Sequence, residues 1–350
     1  MFNRTFNIEG RVIGEGAAPL VVAEISGNHG GSLENALNLI TACAEAGAEA
    51  VKFQTYTPDT ITLESDAPAF RVQADLWAGR TLYELYKEAH TPFEWHEALF
   101  AHARKLGLIA FSAPFDGTAV DLLRSLDAPA YKIASCELPD VGLIERVART
   151  GKPVMLSSGA ADDAELSEAL AVLANRGVRD VCVLHCVSSY PTAFEDAALS
   201  SIPYIREKHG VSAGFSDHTL GIQAALASVS LGACVLEKHV CLSRDDGAID
   251  SAFSLEPDEL GTLVTQTRQI FAMLGQPKTA PIEAEKESLR FKRSLYIAKD
   301  LKKGDRLDGA NVRSVRPAGG LHPRHLPEIM GRELTRDVPQ GSPLGWDMLD

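Results

Sequence analysis

Short apolar runs, each ending in polar residues, recur at intervals along the first two thirds of the chain. They read "VVAEIS" (21–26), "AVKFQT" (50–55), "LIAFSA" (108–113), "YKIASCE" (131–137), "PVMLSSG" (153–159), "VCVLHC" (181–186), "VSAGFSDH" (211–218) and "CVLEKH" (234–239). Their length and β-branched content fit buried strands. Amphipathic patterns separate them. Leu33, Leu37, Ile40 and Ala44 form one helical face, with Ser32 as its N-cap and Gly47 as its stop. Asp162, followed three residues later by Glu165, opens another whose face is Leu166, Leu170 and Leu173. Eight strand–helix units over roughly 250 residues predict a (β/α)8 TIM barrel, with a doubly wound open sheet as the alternative. Residues 56–107 form a long gap between the second and third strands, containing "DLWAGRTLYELYKEAHTPFEW". In a barrel this insertion lies over the mouth as a lid.

The pattern changes after "LGQPKTAPIEAEKE". Two similar segments follow, "DLKKGDRL" from Asp300 and "DVPQGSPL" from Asp337, spaced 37 residues apart. They predict a small β-rich C-terminal module, too short for a robust core of its own. A linker near 276–290 separates a barrel domain, 1–280, from this module, 281–350.

Composition narrows the function. The 350 residues are 45% hydrophobic, enough for a large core. No run approaches the ~18 apolar residues of a transmembrane helix. "MFNRTFNIEGRV" has neither the basic nor the apolar region of a signal peptide, so a cytoplasmic location is expected. A net charge of −13 without a basic stripe argues against nucleic acid and anionic membranes as partners. An anionic substrate must therefore find a local positive pocket. The six cysteines (43, 136, 182, 186, 234, 241) include no CxxC pair and read as reduced, small buried hydrophobes.

Barrel enzymes carry their chemistry at the C-terminal ends of the strands. Those ends hold Glu24, Lys52 with Gln54, Ser112, Lys132 with Ser135 and Glu137, Ser157 with Ser158, His185, Ser216 with His218, and Lys238 with His239. All are expected at one mouth. A single strand-end histidine is ordinarily a packing residue. The seventh and eighth strands, however, lie about 5 Å apart, so His218 and His239 can share a divalent cation. Asp250 is a candidate partner through water. Asp217 either orients His218 or caps the turn. Buried strand lysines need a partner or a task. Lys52 and Lys132, with the hydroxyls of Ser135, Ser157 and Ser216, supply charge and donors for a phosphate and a carboxylate. Lys238 is read instead as neutralising Glu24 or Glu137. A lysine Schiff-base aldolase is the rival chemistry, and a non-catalytic sugar-binding scaffold the rival class.

The segments "AEISGNHGGSLE" (23–34), "KFQTYTPD" (52–59), "YKIAS" (131–135), "LSSG" (156–159), "HCVSSYPT" (185–192), "GFSDHT" (214–219) and "LEKH" (236–239) resemble the sialic acid synthases. These enzymes condense phosphoenolpyruvate with an amino sugar and release phosphate. "RSLYIAKDLKKGD" and "VRSVRPAGGLHP" resemble the family's antifreeze-like SAF domain. "KFQTYTPD", "LWAGRTLYELYKEAHTP" and "GGLHP" are most similar to the pseudaminic acid branch, with the legionaminic branch next; Ser188-Ser189-Tyr190-Pro191 departs from the Asn-x-Tyr-Pro of the N-acetylneuraminic branch. The resemblance implies 2,4-diacetamido-2,4,6-trideoxy-altrose as acceptor. It implies His218 and His239 as ligands of a divalent metal, usually Mn2+, and phosphoenolpyruvate contacts at Lys52, Lys132, Ser135, Ser157, Ser188 and Ser216. Gln54, Glu137, Tyr190 and Asp250 then surround the sugar, and Glu24, Asp250 and Lys132 are the catalytic candidates. Arg316 in "VRPAGG" matches an arginine that the SAF domain of one subunit inserts into its partner's barrel, which implies a domain-swapped homodimer.

Overall fold

The computed structural model describes residues 1–73 and 77–350. Eight parallel strands close into a barrel: β3 (Leu20–Glu24), β4 (Ala50–Thr55), β5 (Ile109–Pro114), β6 (Tyr131–Ile133), β7 (Val154–Ser157), β8 (Val181–Cys186), β9 (Ser212–Asp217) and β10 (Val235–His239). Each strand pairs with its sequence neighbour, and β10 closes the ring on β3 with Val235 opposite Leu20 and His239 opposite Glu24. The eight apolar runs are these eight strands. The helices follow from the amphipathic segments. Ser32 caps Leu33–Glu45 by accepting from the Asn35 N–H at 3.3 Å. Asp162 and Glu165 make a reciprocal capping box at the start of Asp163–Asn175.

A hairpin precedes the barrel, β1 (Thr5–Ile8) and β2 (Arg11–Gly14), that the apolar runs do not announce. Glu9 and Gly10 both take positive φ, +48° and +89°, the two-residue turn whose twist suits paired strands. Phe6, Ile8 and Ile13 pack with the inward side chains of the barrel: Leu20, Val22, Ala50, Ile109, Phe111, Ala130, Met155, Cys182, Leu184 and Val235. The hairpin thereby belongs to the same apolar layer that fills the barrel's interior. Alternate residues, among them Val21, Ala23, Val51, Phe53, Ile133, Leu156, Val183, Phe215 and Leu236, point outward into the larger core shared with the helices.

Above the apolar layer the same alternation continues with polar residues. It places Glu24, Lys52, Gln54, Lys132, Ser157, Cys186, Ser216, Glu237 and His239 inward, and Ser112, His185, Asp217 and Lys238 outward.

The chain divides into two compact units, Met1–Gly275 and Gln276–Asp350. The second holds an antiparallel pair, β11 (Ser294–Ile297) and β12 (Val312–Val315), over its own core of Leu295, Ile297, Leu301, Leu307, Val312, Ile329, Leu334, Val338 and Leu344. The two repeated segments meet there: Leu301 and Val338 exchange backbone hydrogen bonds at 2.9 Å. Among the described residues no helix is long and apolar enough to cross a membrane.

Candidate functional site

A cavity of about 270 Å³ opens at the C-terminal ends of the strands. Its lining includes Lys52, Gln54, Lys132, Ser135, Glu137, Ser157, Tyr190, Ser216, His218, His239 and Asp250. Glu24 sits just beneath, fully buried, with Lys52 Nζ 2.6 Å from its carboxylate. The described part of the 56–107 insertion supplies Tyr56, Ile61, Trp77, Leu85, Tyr86 and Ala89 to the same cavity, while Asp75 and Leu76 of the quoted insertion lie outside the described residues.

The centre of the floor is a residue the sequence reading passed over. Glu237 accepts hydrogen bonds from Lys132 Nζ at 3.1 and 3.3 Å and from Ser216 Oγ at 3.0 Å, and lies 3.7 Å from Lys52 Nζ. Burial works against its charge, but Lys132 and Lys52 prevail and hold its pKa at about 2. Glu24 behaves oppositely. Burial raises its pKa to about 7 despite Lys52, aided by repulsion from Glu237. For Lys52 burial is outweighed by the two carboxylates and the pKa rises; for Lys132 burial wins and the pKa falls. Two carboxylates with divergent pKa values within one cation cluster separate a permanent anion from a titrating acid. Burial likewise raises Glu137 to about 7, against a backbone N–H and Lys132.

His218 and His239 meet edge-on with ring centroids 5.4 Å apart, in one aromatic cluster with Tyr190, 4.4 Å from His218, and Phe253, 5.0 Å from His239. His218 Nδ1 lies 2.9 Å from the Val187 carbonyl. A proton donated there leaves Nε2 with a free lone pair. His239 Nδ1 is buried without a hydrogen-bond partner, and burial followed by the nearby His218 keeps the ring neutral by lowering its pKa far below the usual value. Asp250 Oδ2 lies 3.6 Å from that nitrogen. One imidazole lone pair from each ring is a donor set that suits a divalent cation, the rest of whose coordination would come from water or substrate; at His218 burial is outweighed by Cys186 and the Val187 carbonyl, so its pKa rises and a cation must displace that proton. Among the described residues no three His, Cys, Asp or Glu side chains group closely enough to hold a metal ion between them, so the histidine pair is their whole contribution.

The loop after β3 fixes Asp250. Ser26 Oγ donates to its carboxylate, and Asn28 accepts from the Asp250 N–H at 3.2 Å while donating to Val240 O at 2.7 Å and Ser254 Oγ at 2.8 Å. A Cβ at Gly27 would stand 2.6 Å from Ile249, so the loops approach this closely only over glycine. The segment "ISGNH" is thus a clamp.

Five strand-end residues do not reach the mouth, because strand alternation turns them outward. Ser112 Oγ bonds Thr55 Oγ1 at 2.6 Å, which in turn bonds His96 at 2.8 Å. His185 Nε2 bonds the Ala197 carbonyl at 2.9 Å and lines a separate cavity with Ser158. Lys238 pairs with Asp217 at 2.8 Å, both 1% exposed, rather than with Glu24 or Glu137. Asp217 also caps the turn by accepting from the Thr219 N–H at 2.8 Å, and does not touch His218. The inward neighbour of His185 is Cys186, whose sulfur enters the cavity 3.9 Å from His218 Nδ1. Counting alternate positions from the apolar interior would have found both Glu237 and Cys186.

Ser188 lines the neighbouring cavity rather than the main one. Its Oγ, buried and unpartnered, closes on Gly159, where an added Cβ would stand 2.4 Å from it and 2.8 Å from Ser135 Oγ. Gly159 therefore leaves room for these hydroxyls beside Ser157. Arg316 belongs to the second unit, exposed, beside a concavity with Ser288, Phe291, Lys292 and Arg293.

Residues 39–279 match the NeuB family, and residues 292–350 match the SAF domain. The chain belongs to the NeuB family. It is 43% identical over 324 residues to a pseudaminic acid synthase of Campylobacter jejuni, covering 93% of this chain and 94% of the relative. A pseudaminic acid synthase of Helicobacter pylori is 42% identical over 334 residues, 95% of this chain and 98% of the relative. A crystal structure of an N-acetylneuraminic acid synthetase from Leptospira borgpetersenii superposes with a TM-score of 0.74 at 32% identity, over 82% of this chain and 96% of that one. Within the NeuB family the identities therefore favour the pseudaminic acid enzymes over that sialic acid enzyme. The cation cluster and the paired histidines of this barrel lie inside the matched region.

Proposed function

We propose that this NeuB-family protein is a phosphoenolpyruvate-dependent synthase that makes pseudaminic acid from 2,4-diacetamido-2,4,6-trideoxy-altrose and water, releasing phosphate, for surface glycans or flagellin glycosylation. The observation that carries the reading is the Lys52–Glu237–Lys132 cluster facing the His218–His239 pair across one cavity. It gives an acidic protein a local cationic pocket for an acidic substrate. The identity to pseudaminic acid synthases supports the choice of acceptor.

Lys52 and Lys132 would take the carboxylate and phosphate of phosphoenolpyruvate, with Ser135, Ser157 and Ser216 as donors from the main cavity and Ser188 reaching it past Gly159. Gln54, Glu137, Tyr190 and Asp250 would hold the open-chain sugar. The C2=C3 electrons of phosphoenolpyruvate form the bond from its C3 to the sugar aldehyde carbon, whose oxygen is protonated. Water then adds at C2, loses a proton, and the C–O bond to phosphate breaks to leave the ketone. A divalent cation held by His218 and His239, Mn2+ by family resemblance, would polarise the aldehyde. Glu24, with its pKa near 7, and Asp250, raised by burial, are the groups able to hold and release the protons. Glu237 stays ionised and keeps the two ammonium groups in register.

Arg316 would complete the sugar site from a partner subunit in a domain-swapped homodimer.

The test offers phosphoenolpyruvate and Mn2+ with the altrose derivative, its legionaminic counterpart and N-acetylmannosamine in parallel, following phosphate. Fastest release with the altrose derivative supports the reading. Borohydride trapping of pyruvate on a lysine, with indifference to EDTA, overturns it in favour of an aldolase.

A further inference from the structure

The cavity has two chemically distinct sides. Its floor is charged, whereas Ile61, Trp77, Leu85, Phe115 and Ile249 give the cavity an apolar wall, within which the Tyr56 ring packs 5.1 Å from Phe115 and 5.8 Å from Tyr86. These side chains come from the 56–107 insertion, the residue just after β5 and the loop after β10. Trp77 joins these parts: its indole N–H donates to the Ile249 carbonyl at 3.1 Å, beside Asp250, and its ring lies 5.8 Å from Tyr190. With its only donor spent on the backbone, Trp77 presents carbon to the cavity.

Resting on the synthase reading above, we propose that this wall selects the acceptor by its apolar substituents, receiving the C6 methyl of a 6-deoxy sugar, with Trp77 as the specificity-determining residue. The charged floor and the histidine pair fix the reacting end of the sugar, so the far end must lie against the wall. A methyl group there loses water at no polar cost. A C6 hydroxyl finds no partner among these five side chains and must reach past them to the Tyr56 or Tyr86 hydroxyl or lose its hydrogen bond. Apolar pockets discriminate against one added hydroxyl by about 100-fold. Stereochemistry at the ring is left to the polar residues, so the wall does not separate the altrose and legionaminic precursors.

The experiment compares a matched pair, the 2,4-diacetamido sugar with and without its C6 hydroxyl, by phosphate release at saturating phosphoenolpyruvate. Wild type is expected to prefer the 6-deoxy sugar by about 100-fold in kcat/KM, Trp77→Phe to keep that preference, and Trp77→Ala to reduce it below about tenfold. Ile61→Asn, which introduces a hydrogen-bonding partner, is expected to raise the relative rate with the 6-hydroxy sugar. Equal losses on both sugars in Trp77→Ala, with no change of ratio in Ile61→Asn, overturn the wall's selective role while leaving the synthase reading intact. No phosphate release by wild type with either sugar overturns the synthase reading itself, and this inference with it.

Discussion

Lys132 Nζ contacts both carboxylate oxygens of Glu237 from the opposite side of the barrel, at 3.1 and 3.3 Å. Both side chains are almost fully buried, and Lys52 approaches the same carboxylate at 3.7 Å. Removing one member of such a cluster leaves uncompensated buried charge, a loss of about 3–5 kcal/mol. Glu237→Gln is expected to destabilise the free protein by that order in denaturant melts. Phosphoenolpyruvate brings its own negative charge to the lysines, so it should raise the Tm of Glu237→Gln by more than that of wild type. An equal shift in both proteins speaks against this arrangement.

Lys238 and Asp217 form the outward counterpart. Lys238→Met is expected to lose about 3–5 kcal/mol of stability, and the double variant Lys238→Met/Asp217→Leu to recover most of it. Phosphate release per folded Lys238→Met molecule should stay near wild type. Lys132→Met, an inward change, should abolish it. If Lys238→Met abolishes turnover while remaining folded, the outward assignment is wrong.

Glu137 gives a pH dependence of defined sign. Burial lifts its folded pKa from 4.5 to about 7. Between those values the native state holds a proton that the unfolded chain has released, so stability falls as pH rises through that window. The contribution is full below about 4.5 and lost above about 7. Glu137→Gln should remove this slope: its stability matches wild type at low pH and exceeds it increasingly towards pH 8, by about 3 kcal/mol. A gap between the two that does not change with pH refutes the assignment.

Much of this architecture was legible because a barrel strand is a continuous apolar run with a polar end, and eight such runs leave few alternatives. The polar ends were legible only as sets. Which side chains enter the mouth depends on strand alternation counted from the interior layer, and the run "CVLEKH" shows the difference: Glu237 and His239 point in, while Lys238 between them points out. The same count exchanges His185 for Cys186. The hairpin at Thr5–Gly14 escaped because each arm is four residues long, too short for a period to register. Trp77 sat in a segment readable only as an insertion, since its partner Ile249 is 172 residues away.

The histidine pair predicts how the cation matters. EDTA should abolish phosphate release and added Mn2+ restore it. His218→Ala and His239→Ala should each lose tight Mn2+ binding in equilibrium dialysis and lose turnover. The His239→Ala fold should survive, because His239 Nδ1 makes no hydrogen bond to lose, whereas His218→Ala gives up one bond, to the Val187 carbonyl. A His239→Ala protein that turns over at the wild-type rate rules out the proposed ligand set.

Arg316 and His239 give a test of where the SAF arginine acts. Each single variant, Arg316→Ala and His239→Ala, should be inactive. Differently tagged copies, co-expressed and purified through both tags, yield mixed dimers. If Arg316 works in the partner's barrel, the intact barrel of the Arg316→Ala chain meets the intact arginine of the His239→Ala chain. One of the two sites is then complete, and the mixed dimer runs at about half the wild-type rate. If the arginine serves its own barrel, neither chain carries both groups and the mixed dimer stays inactive. Half activity therefore requires exchange of the SAF module between subunits, and its absence in verified mixed dimers removes the domain-swapped arrangement.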